Sequence, residues 1–336
     1  MAKKRIYVAY TGGTIGMQKS AKGYVPVPGY LVEHVKSHPD FQRPEMPDFD
    51  IHEYCPLMDS SDMTPADWQH IADDIQQHYD QYDGFVILHG TDTMAYTASA
   101  LSFMLENLGK PVIVTGSQIP LSALRSDGQE NLLTALYLAA DYPIAEVSLF
   151  FNNQLFRGNR ATKAHADGFD AFASPNFPPL LEAGIQIRKV GAKQALQPKG
   201  DFKVHRITPQ PIGMVRLYPG IDPLIISNLI QQPVKALILQ SYGVGNAPSN
   251  PKLLAALEKA SEQGIVVINL SQCFKGAVNM TGYATGTGLA ACGVISGGDM
   301  TVEAALTKLH FLFSQNLSPK AVREQLAENL RGELSV

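Results

Sequence analysis

Threonine, aspartate and lysine side chains in this sequence have the types and spacing needed for acyl-transfer chemistry. The stretch LHGTDTM places Thr91 and Asp92 just after an apolar run, and the stretch TGGTIG places Thr14 just after another. A threonine hydroxyl can act as a nucleophile when a base removes its proton and hydrogen-bond donors stabilise the oxyanion. Lys163, with Thr91 and Asp92, could relay that proton. Taken singly, such a threonine more often caps a helix and a lone lysine is more often a surface charge, so residue types alone leave both interpretations open.

The glycine-rich stretch before Thr14 does not match a nucleotide-binding motif. Gly12, Gly13 and Gly16 lack the GxGxxG spacing, and no GxxxxGK[ST] motif is present. HExxH and GxSxG motifs are also absent, and no His/Cys cluster has zinc spacing. A Ser-His-Asp triad stays open, because its members need not be adjacent in sequence. The sequence therefore predicts a threonine- and lysine-containing site with no metal and no cofactor.

Composition and charge exclude several classes of protein. The 336 residues suggest two domains, and a net charge of −4 offers no basic surface for nucleic acid. No apolar stretch approaches the ~18 residues of a membrane span, and the run Ile6–Tyr10 is too short for a secretory signal. Three widely spaced cysteines form no disulfide framework and fit a reducing compartment. We therefore expect a cytoplasmic protein with no membrane or nucleic-acid partner.

Apolar runs alternate with helical repeats along the chain. The predicted strands are Ile6–Tyr10, Gly84–Leu88, Pro111–Thr115, Val147–Phe151, Val234–Leu239 and Ile265–Leu270. The predicted helices are one beginning at Thr64-Pro65, then Thr97–Leu105, Leu132–Ala140, Pro251–Gln263, Val302–Phe313 and Pro319–Leu330. This alternation predicts an α/β fold with mainly parallel sheets. We expect a larger N-terminal α/β domain over residues 1–190, a linker over 191–212 and a smaller C-terminal α/β domain over 213–336.

The residues that follow the predicted strands are the candidates for a single site. Ligands of open α/β sheets bind beyond the carboxyl ends of the strands. Thr14, Thr91, Ser117 and Asn152 follow four successive strands of the first domain, and Lys163 comes somewhat later. Three histidines are expected to be structural and not ligands, namely His89, His165 and His310.

Longer stretches resemble the bacterial L-asparaginase family. YTGGTIG and LHGTDTM resemble its two signature motifs, and the resemblance continues through MDSSDM, VTGSQIP, RGNRATKAHADGFDAFASPN and SYGVGNAP. The short arm around Gly23-Tyr24 and the absence of a signal peptide resemble the cytoplasmic type I branch. The resemblance implies hydrolysis of L-asparagine to L-aspartate and ammonia. It also implies a homodimer or homotetramer, with active sites at the subunit interface.

The resemblance further implies roles for individual residues. Thr14 is implied as the nucleophile that forms an acyl-enzyme, and Tyr24 as a residue that closes over the site and hydrogen-bonds Thr14. Thr91, Asp92 and Lys163 are implied as a second triad. The implied substrate contacts are Asp59, Ser60, the backbone of Ser117, and Asn246 from a neighbouring subunit. Which threonine attacks first, and whether Asp92 or Lys163 carries the proton, stays open.

Some type I members bind asparagine at a second, activating site. Thr162 and Cys273 match positions associated with that site, whereas Gln240 stands where an arginine would grip the effector's carboxylate. A neutral amide cannot form the bidentate ion pair, so we expect activation to be weakened or absent. Cys273 also has a structural interpretation, as a buried small apolar residue.

Three other functions compete with this interpretation. One is an asparagine sensor that has kept the pocket and lost turnover, although Thr14, Asp92 and Lys163 are all present. The second is a subunit of a glutamyl-tRNA amidotransferase, which would need a tRNA-facing domain for which the chain has no basic surface. The third is a broader asparaginase/glutaminase, because one methylene changes binding by only ~1–3 kcal/mol.

Overall fold

The protein consists of two compact α/β units. The computed structural model describes residues 3–21, 23–190, 198–280 and 284–335. The first unit is Met1–His205 and the second is Arg206–Val336. Both units contain a sheet with parallel strands, and the first unit is the larger. The predicted fold class is confirmed.

The first unit is built on a mainly parallel sheet. Its strands are β1 (Arg5–Gly12), β2 (Met17–Ser20), β3 (Gly23–Pro26), β4 (Asp48–Met58), β5 (Gly84–Leu88), β6 (Leu105–Glu106), β7 (Val112–Thr115), β8 (Val147–Phe151), β9 (Gln154–Arg157), β10 (Thr162–Lys163), β11 (Phe172–Ala173), β12 (Leu181–Ala183), β13 (Ile187–Lys189) and β14 (Lys203–Val204). Eight of these described strands form one sheet in the order β13-β12-β9-β8-β7-β5-β1-β4. Strands β4, β1, β5, β7 and β8 are parallel, and β9, β12 and β13 extend the sheet with antiparallel pairing. The carboxyl ends of five strands therefore meet at one edge.

Helices flank this sheet. They are α1 (Tyr30–Ser37), α2 (Pro65–His78), α3 (Met94–Met104) and α4 (Gly128–Asp141). Helix α2 begins as predicted, because the Thr64 N–H and hydroxyl both donate to the Asp67 carboxylate, at 2.7 and 2.8 Å. Helix α3 is buried on nearly every face, which explains its small and apolar residues.

The period of two along each strand sorts its side chains between two faces. Ile6, Val8 and Tyr10 of β1 share one face, where they belong to a core with Leu132 and Leu136 of α4. All five residues of β5 are buried, as expected for a parallel strand covered on both sides. Burying each large apolar side chain contributes roughly 1.5–3 kcal/mol. This packing holds the strand ends in place.

The second unit contains a four-stranded parallel sheet among its described residues. Its strands are β15 (Ile212–Arg216), β16 (Ala236–Ser241), β17 (Val266–Ser271) and β18 (Ile295–Ser296), paired in that order. Its helices are α5 (Leu224–Leu229), α6 (Pro251–Glu262), α7 (Ala284–Ala291), α8 (Val302–Ser314) and α9 (Pro319–Ala327). No helix in the described parts of either unit is long and apolar enough to cross a membrane.

The linker predicted over 191–212 differs from the structure at its C-terminal side. Lys203–Val204 forms β14, which pairs with β6 of the first unit, and Ile212 begins β15 of the second unit. The unit boundary falls between His205 and Arg206. A two-residue strand is too short to give a period-two pattern, so the polar composition of this stretch concealed it. Residues 191–197 of the predicted linker lie outside the described residues.

Candidate active site

The candidate residues of the first unit follow adjacent strands at the carboxyl edge of its sheet. Asp59 and Ser60 follow β4, Thr14 follows β1, Thr91 follows β5 and Ser117 follows β7. These strands are direct neighbours in the sheet order. The fold therefore collects side chains that are far apart in sequence at one edge.

Two glycines bring the loops after β1 and β5 into backbone contact. A Cβ atom added to Gly13, whose φ is +90°, would lie 2.4 Å from the backbone nitrogen of Gly90. One added to Gly90 would lie 2.3 Å from Ser60 Oγ. Only glycine fits such an approach. Thr14 follows Gly13 and Thr91 follows Gly90, so the two threonines lie on loops that are in contact with each other.

Lys163 joins Thr91 to Asp92. Its Nζ donates to Thr91 Oγ1 at 3.0 Å and to Asp92 Oδ1 at 2.8 Å. The Thr91 residue is 7% exposed and the Lys163 side chain 20%, whereas the Asp92 side chain is 65% exposed. The Thr91 hydroxyl and the Lys163 ammonium are therefore largely shielded from water, while the Asp92 carboxylate remains solvated.

A short hairpin presents Lys163. Strand β10 pairs antiparallel with β11, and the N–H groups of Ala164 and His165 both donate to Ala171 O, at 2.8 and 3.1 Å. His165 is exposed and accepts from Gly168 N at 3.1 Å. The hairpin thus fixes the direction in which Lys163 extends.

Thr14 begins a 3-10 turn and is half-buried. Its hydroxyl has no hydrogen-bond partner among the described residues. The Thr14 hydroxyl can therefore act as a nucleophile if a neighbouring group removes its proton.

The residues predicted to hold the substrate have different environments. Asp59 is exposed, and its carboxylate accepts from the N–H and hydroxyl of Ser61, both at 2.9 Å. Ser60 is buried and its carbonyl accepts from Thr93 Oγ1 at 2.6 Å. Ser117 is 1% exposed, and its buried hydroxyl lacks a partner in the described structure. Ser60 and Ser117 are therefore shielded from solvent, whereas Asp59 is open to it.

His89 is held by hydrogen bonds to the loop after β5 and to helix α3. A carbonyl can only accept, so Nδ1 donates to Gly90 O at 2.7 Å, and Nε2 accepts from the Thr97 hydroxyl at 2.8 Å. Complete burial lowers the pKa of His89 from 6.5 to about 4. The imidazole is neutral near pH 7 and acts as a structural residue, as the sequence indicated.

The contact predicted between Tyr24 and Thr14 is not formed in this structure. Tyr24 lies in β3, opposite Lys19 of β2, and is 48% exposed. No hydrogen bond joins its hydroxyl to Thr14. The β2–β3 hairpin is a small two-stranded sheet, separate from the large one.

The other predicted residues are divided between the two units. Thr162 lies in β10 beside Lys163, in the first unit, whereas Asn246, Gln240 and Cys273 belong to the second. Asn246 forms a β-bridge with Tyr242, and Gln240 lies in β16. The interpretation of Cys273 as a buried apolar residue is wrong, because its thiol is free and exposed just beyond β17.

Two residues of the site escaped the sequence prediction. Gln118 Oε1 accepts from Thr91 Oγ1 at 3.0 Å, although the sequence prediction gave a role only to Ser117 in the stretch VTGSQIP. The Asp127 carboxylate accepts from the N–H groups of Gln118 and Ile119, at 3.0 Å each. Gln118 follows β7 closely and could have been identified on that basis, whereas nothing in the sequence singled out Asp127.

The fold and the site define a class of α/β protein with a hydroxyl–lysine–carboxylate cluster at the carboxyl edge of a parallel sheet. Within the described residues, no group of three or more His, Cys, Asp or Glu side chains could hold a metal ion. The family profile described as "Asparaginase, N-terminal" matches residues 5–195, and "Glutaminase/Asparaginase C-terminal domain" matches residues 211–326. The chain belongs to the asparaginase family.

Named relatives agree with this assignment. The protein named L-asparaginase 1 of Escherichia coli K12 is 70% identical, over 100% of this chain and 99% of its own length. The crystal structure of L-asparaginase I from Vibrio cholerae matches with a TM-score of 0.94 and 64% identity, over 100% of both chains. A mouse protein named 60 kDa lysophospholipase is 44% identical over 99% of this chain, which corresponds to 63% of that protein.

Proposed function

We propose that this protein is an L-asparagine amidohydrolase that converts L-asparagine to L-aspartate and ammonia. One observation carries the proposal: Lys163 Nζ donates to both Thr91 Oγ1 and Asp92 Oδ1, at 3.0 and 2.8 Å, beside the loop that bears Thr14. Family membership and the 70% identity to a protein named L-asparaginase 1 support the choice of substrate.

The first step is attack of the Thr14 hydroxyl on the side-chain amide carbon of asparagine. The C–O bond to Thr14 forms, the C–N bond breaks, and the proton lost by the hydroxyl leaves with the nitrogen as ammonia. Backbone N–H groups of the Gly12–Thr14 stretch stabilise the oxyanion. The Thr14 hydroxyl has no hydrogen-bond partner among the described residues, which supports its role as nucleophile.

The second step is hydrolysis of the resulting β-aspartyl ester. Thr91 and Lys163 align a water molecule, which attacks the ester carbon and releases aspartate with Thr14 restored. Lys163 must lose a proton to act as the base in this step. The alternative order, with Thr91 as the first nucleophile, uses the same groups.

The charged ends of asparagine are held by the loop after β4. Asp59 pairs with the α-ammonium group and Ser60 with the α-carboxylate, while the backbone of Ser117 lies near the side-chain amide. Asn246 of a neighbouring subunit completes the site. The protein therefore works as a homodimer or homotetramer, and it does so in the cytoplasm. Activation by asparagine at a second site is weakened or absent, because Gln240 lacks the charge to grip a carboxylate.

Ammonia release tests the proposal against the sensor alternative. We expect the wild type to release ammonia and aspartate in equal amounts from L-asparagine, and Thr14→Ala and Thr91→Ala to lose turnover. Acid quenching followed by peptide mass analysis then locates the aspartyl group on Thr14 or Thr91. A wild type that released no ammonia, but whose melting temperature rose with asparagine, would be a sensor.

L-Glutamine and a series of asparagine concentrations test the finer claims. Glutamine should be hydrolysed more slowly than asparagine, because its extra methylene weakens binding. Some turnover should remain, because one methylene changes binding by only ~1–3 kcal/mol. Comparable kcat/KM for both amides would make the protein a broad asparaginase/glutaminase. A hyperbolic dependence of rate on asparagine fits the absence of activation, and a strongly sigmoidal one contradicts it.

A further inference from the structure

The Thr91 hydroxyl has a partner that the proposed mechanism has not used. Its Oγ1 accepts from Lys163 Nζ at 3.0 Å and donates to Gln118 Oε1, also at 3.0 Å. The directions follow from the chemistry, because an ammonium group can only donate and an amide oxygen can only accept. The single proton of the hydroxyl therefore lies on the Gln118 side.

The orientation of the Gln118 amide is fixed by its other end. Gln118 Nε2 donates to Gly168 O at 3.0 Å and lies 3.3 Å from Ala166 O. A flipped amide would set its oxygen against these two carbonyl oxygens and lose both bonds. Gln118 thus spans from Thr91, after β5, to the turn that follows Lys163.

The backbone of Gln118 is held as firmly as its side chain. The N–H of Gln118 donates to both oxygens of Asp127, at 3.1 and 3.0 Å, and the N–H of Ile119 donates to Asp127 Oδ1 at 3.0 Å. Asn131 Nδ2 donates to the same carboxylate at 3.2 Å. Asp127 lies just before α4, so the amide is aimed at Thr91 by a well-supported loop.

We propose that Gln118 is a positioning residue of the active site, which fixes the direction of the Thr91 hydroxyl and ties it to the turn after Lys163. This inference rests on the proposed function and adds a residue to its machinery. Thr91 Oγ1 has one proton and two lone pairs. Gln118 Oε1 accepts the hydrogen bond from this proton, and Lys163 Nζ donates to one lone pair. The second lone pair is therefore left to accept from the reacting hydroxyl or water. Without Gln118 the hydroxyl can rotate, and the productive orientation becomes one of several.

Gln118→Met tests the role by keeping the length of the side chain and removing both ends of the bridge. We expect kcat for asparagine to fall about 10-fold or more, as for loss of one well-aligned hydrogen bond, with KM changed less than about 3-fold. KM stays because Asp59 and Ser60 still hold the substrate. Gln118→Asn is a second variant for the case in which Gln118→Met folds poorly, because asparagine keeps the polar amide. Its side chain is one methylene too short to span both contacts, so the same fall in kcat is expected.

Gln315→Met is the matched control. Gln315 Nε2 also donates to two backbone carbonyls, Arg206 O at 3.0 Å and Phe311 O at 3.1 Å, and both of these acceptors lie in the second unit. It should retain wild-type kcat. Wild-type kcat in both Gln118 variants would overturn the inference, as would a rise in KM equal to the fall in kcat.

A double-mutant cycle judges the inference without relying on turnover. Thr91→Val removes the hydroxyl, so the losses of melting temperature caused by Thr91→Val and Gln118→Met should be clearly less than additive in the double variant. Fully additive losses would contradict the Thr91–Gln118 bond. If the wild type released no ammonia, the proposed function would fall, and this cycle alone would decide whether Gln118 orients Thr91.

Discussion

Thr91 is the residue on which the site is centred. Its hydroxyl is buried, bonded on one side to Lys163 and on the other to Gln118. Thr14, by contrast, has a hydroxyl without a partner in the described structure. This difference fits a mechanism in which Thr14 is the nucleophile and Thr91 accepts a hydrogen bond from the attacking group.

His89 gives the site a dependence of stability on pH. Burial lowers its pKa from 6.5 to about 4, so the unfolded chain binds this proton more readily than the folded chain does. Its contribution is fully present above about pH 6.5 and is lost as the pH falls toward 4, an effect of about 3 kcal/mol.

His89→Gln isolates that contribution. Glutamine does not titrate, so the loss of unfolding free energy between pH 7.5 and pH 5 should be smaller in the variant than in the wild type. Urea denaturation at pH 7.5 and pH 5 gives the loss of unfolding free energy for the wild type and for the variant. Subtracting one loss from the other cancels the effect of the carboxylates that both proteins share. Identical losses in the two proteins would show that His89 does not titrate as described.

At the scale of elements, the strand-end loops depend on glycines at points of backbone contact. Gly13→Ala would place a Cβ atom 2.4 Å from Gly90 N and 2.6 Å from Gly90 Cα, at a φ of +90°. We expect the variant to lose several kcal/mol of stability and nearly all turnover, because the loops bearing Thr14 and Thr91 must separate.

Gly264→Ala separates the steric effect from the dihedral effect. Gly264 has a φ of +80°, but nothing lies within 4 Å of its added Cβ. This variant should lose only about 1 kcal/mol and keep its activity. Equal destabilisation of the two variants in urea would mean that the positive φ, and not the contact between loops, requires glycine at residue 13.

The sequence predicted elements well where a pattern was local. Strands Gly84–Leu88 and Val147–Phe151 have the predicted bounds, since each is a short buried apolar run. Strand β4 (Asp48–Met58) was missed, because it is an edge strand that contains three acidic residues and Pro56. The bridge made by Gln118 could not be predicted, because it depends on how three loops distant in sequence meet.

At the scale of the whole molecule, both the resemblance and the alternation of elements predicted two α/β units. The C-terminal end of the second unit differs from its prediction. Helix α9 was expected to reach Leu330 but ends at Ala327, and Glu328 is extended. The tail beyond it is held by Lys308 of α8, whose Nζ lies 2.7 Å from Glu333 Oε1 with both side chains fully buried. Lys308 Nζ also donates to Leu326 O at 3.0 Å. Such a contact between residues far apart in sequence leaves no local pattern.

Breaking this buried pair should destabilise the second unit. Glu333→Gln leaves the Lys308 ammonium buried without its counter-charge, and weakens the bonds that the carboxylate accepts from the N–H groups of Leu330 and Arg331, at 3.0 and 2.7 Å. We expect a loss of about 3–5 kcal/mol in urea denaturation. Glu324→Gln is the control, because its pair with Lys320 is exposed and 3.9 Å long, and such pairs contribute less than about 1 kcal/mol. A loss at Glu333 no larger than that at Glu324 would contradict the role of the pair.

Lys163 is expected to act with Thr91 in the hydrolysis of asparagine, and one kinetic comparison tests this role most directly. Ammonia release from L-asparagine should be measured for the wild type, Lys163→Met and Lys110→Met. Lys110 is a matched control, since its Nζ donates to the carbonyls of Tyr79 and Tyr82, away from the site. We predict wild-type kcat for Lys110→Met and a fall of about 10²–10⁴-fold for Lys163→Met. Undiminished turnover in Lys163→Met, or none in the wild type, would contradict the account.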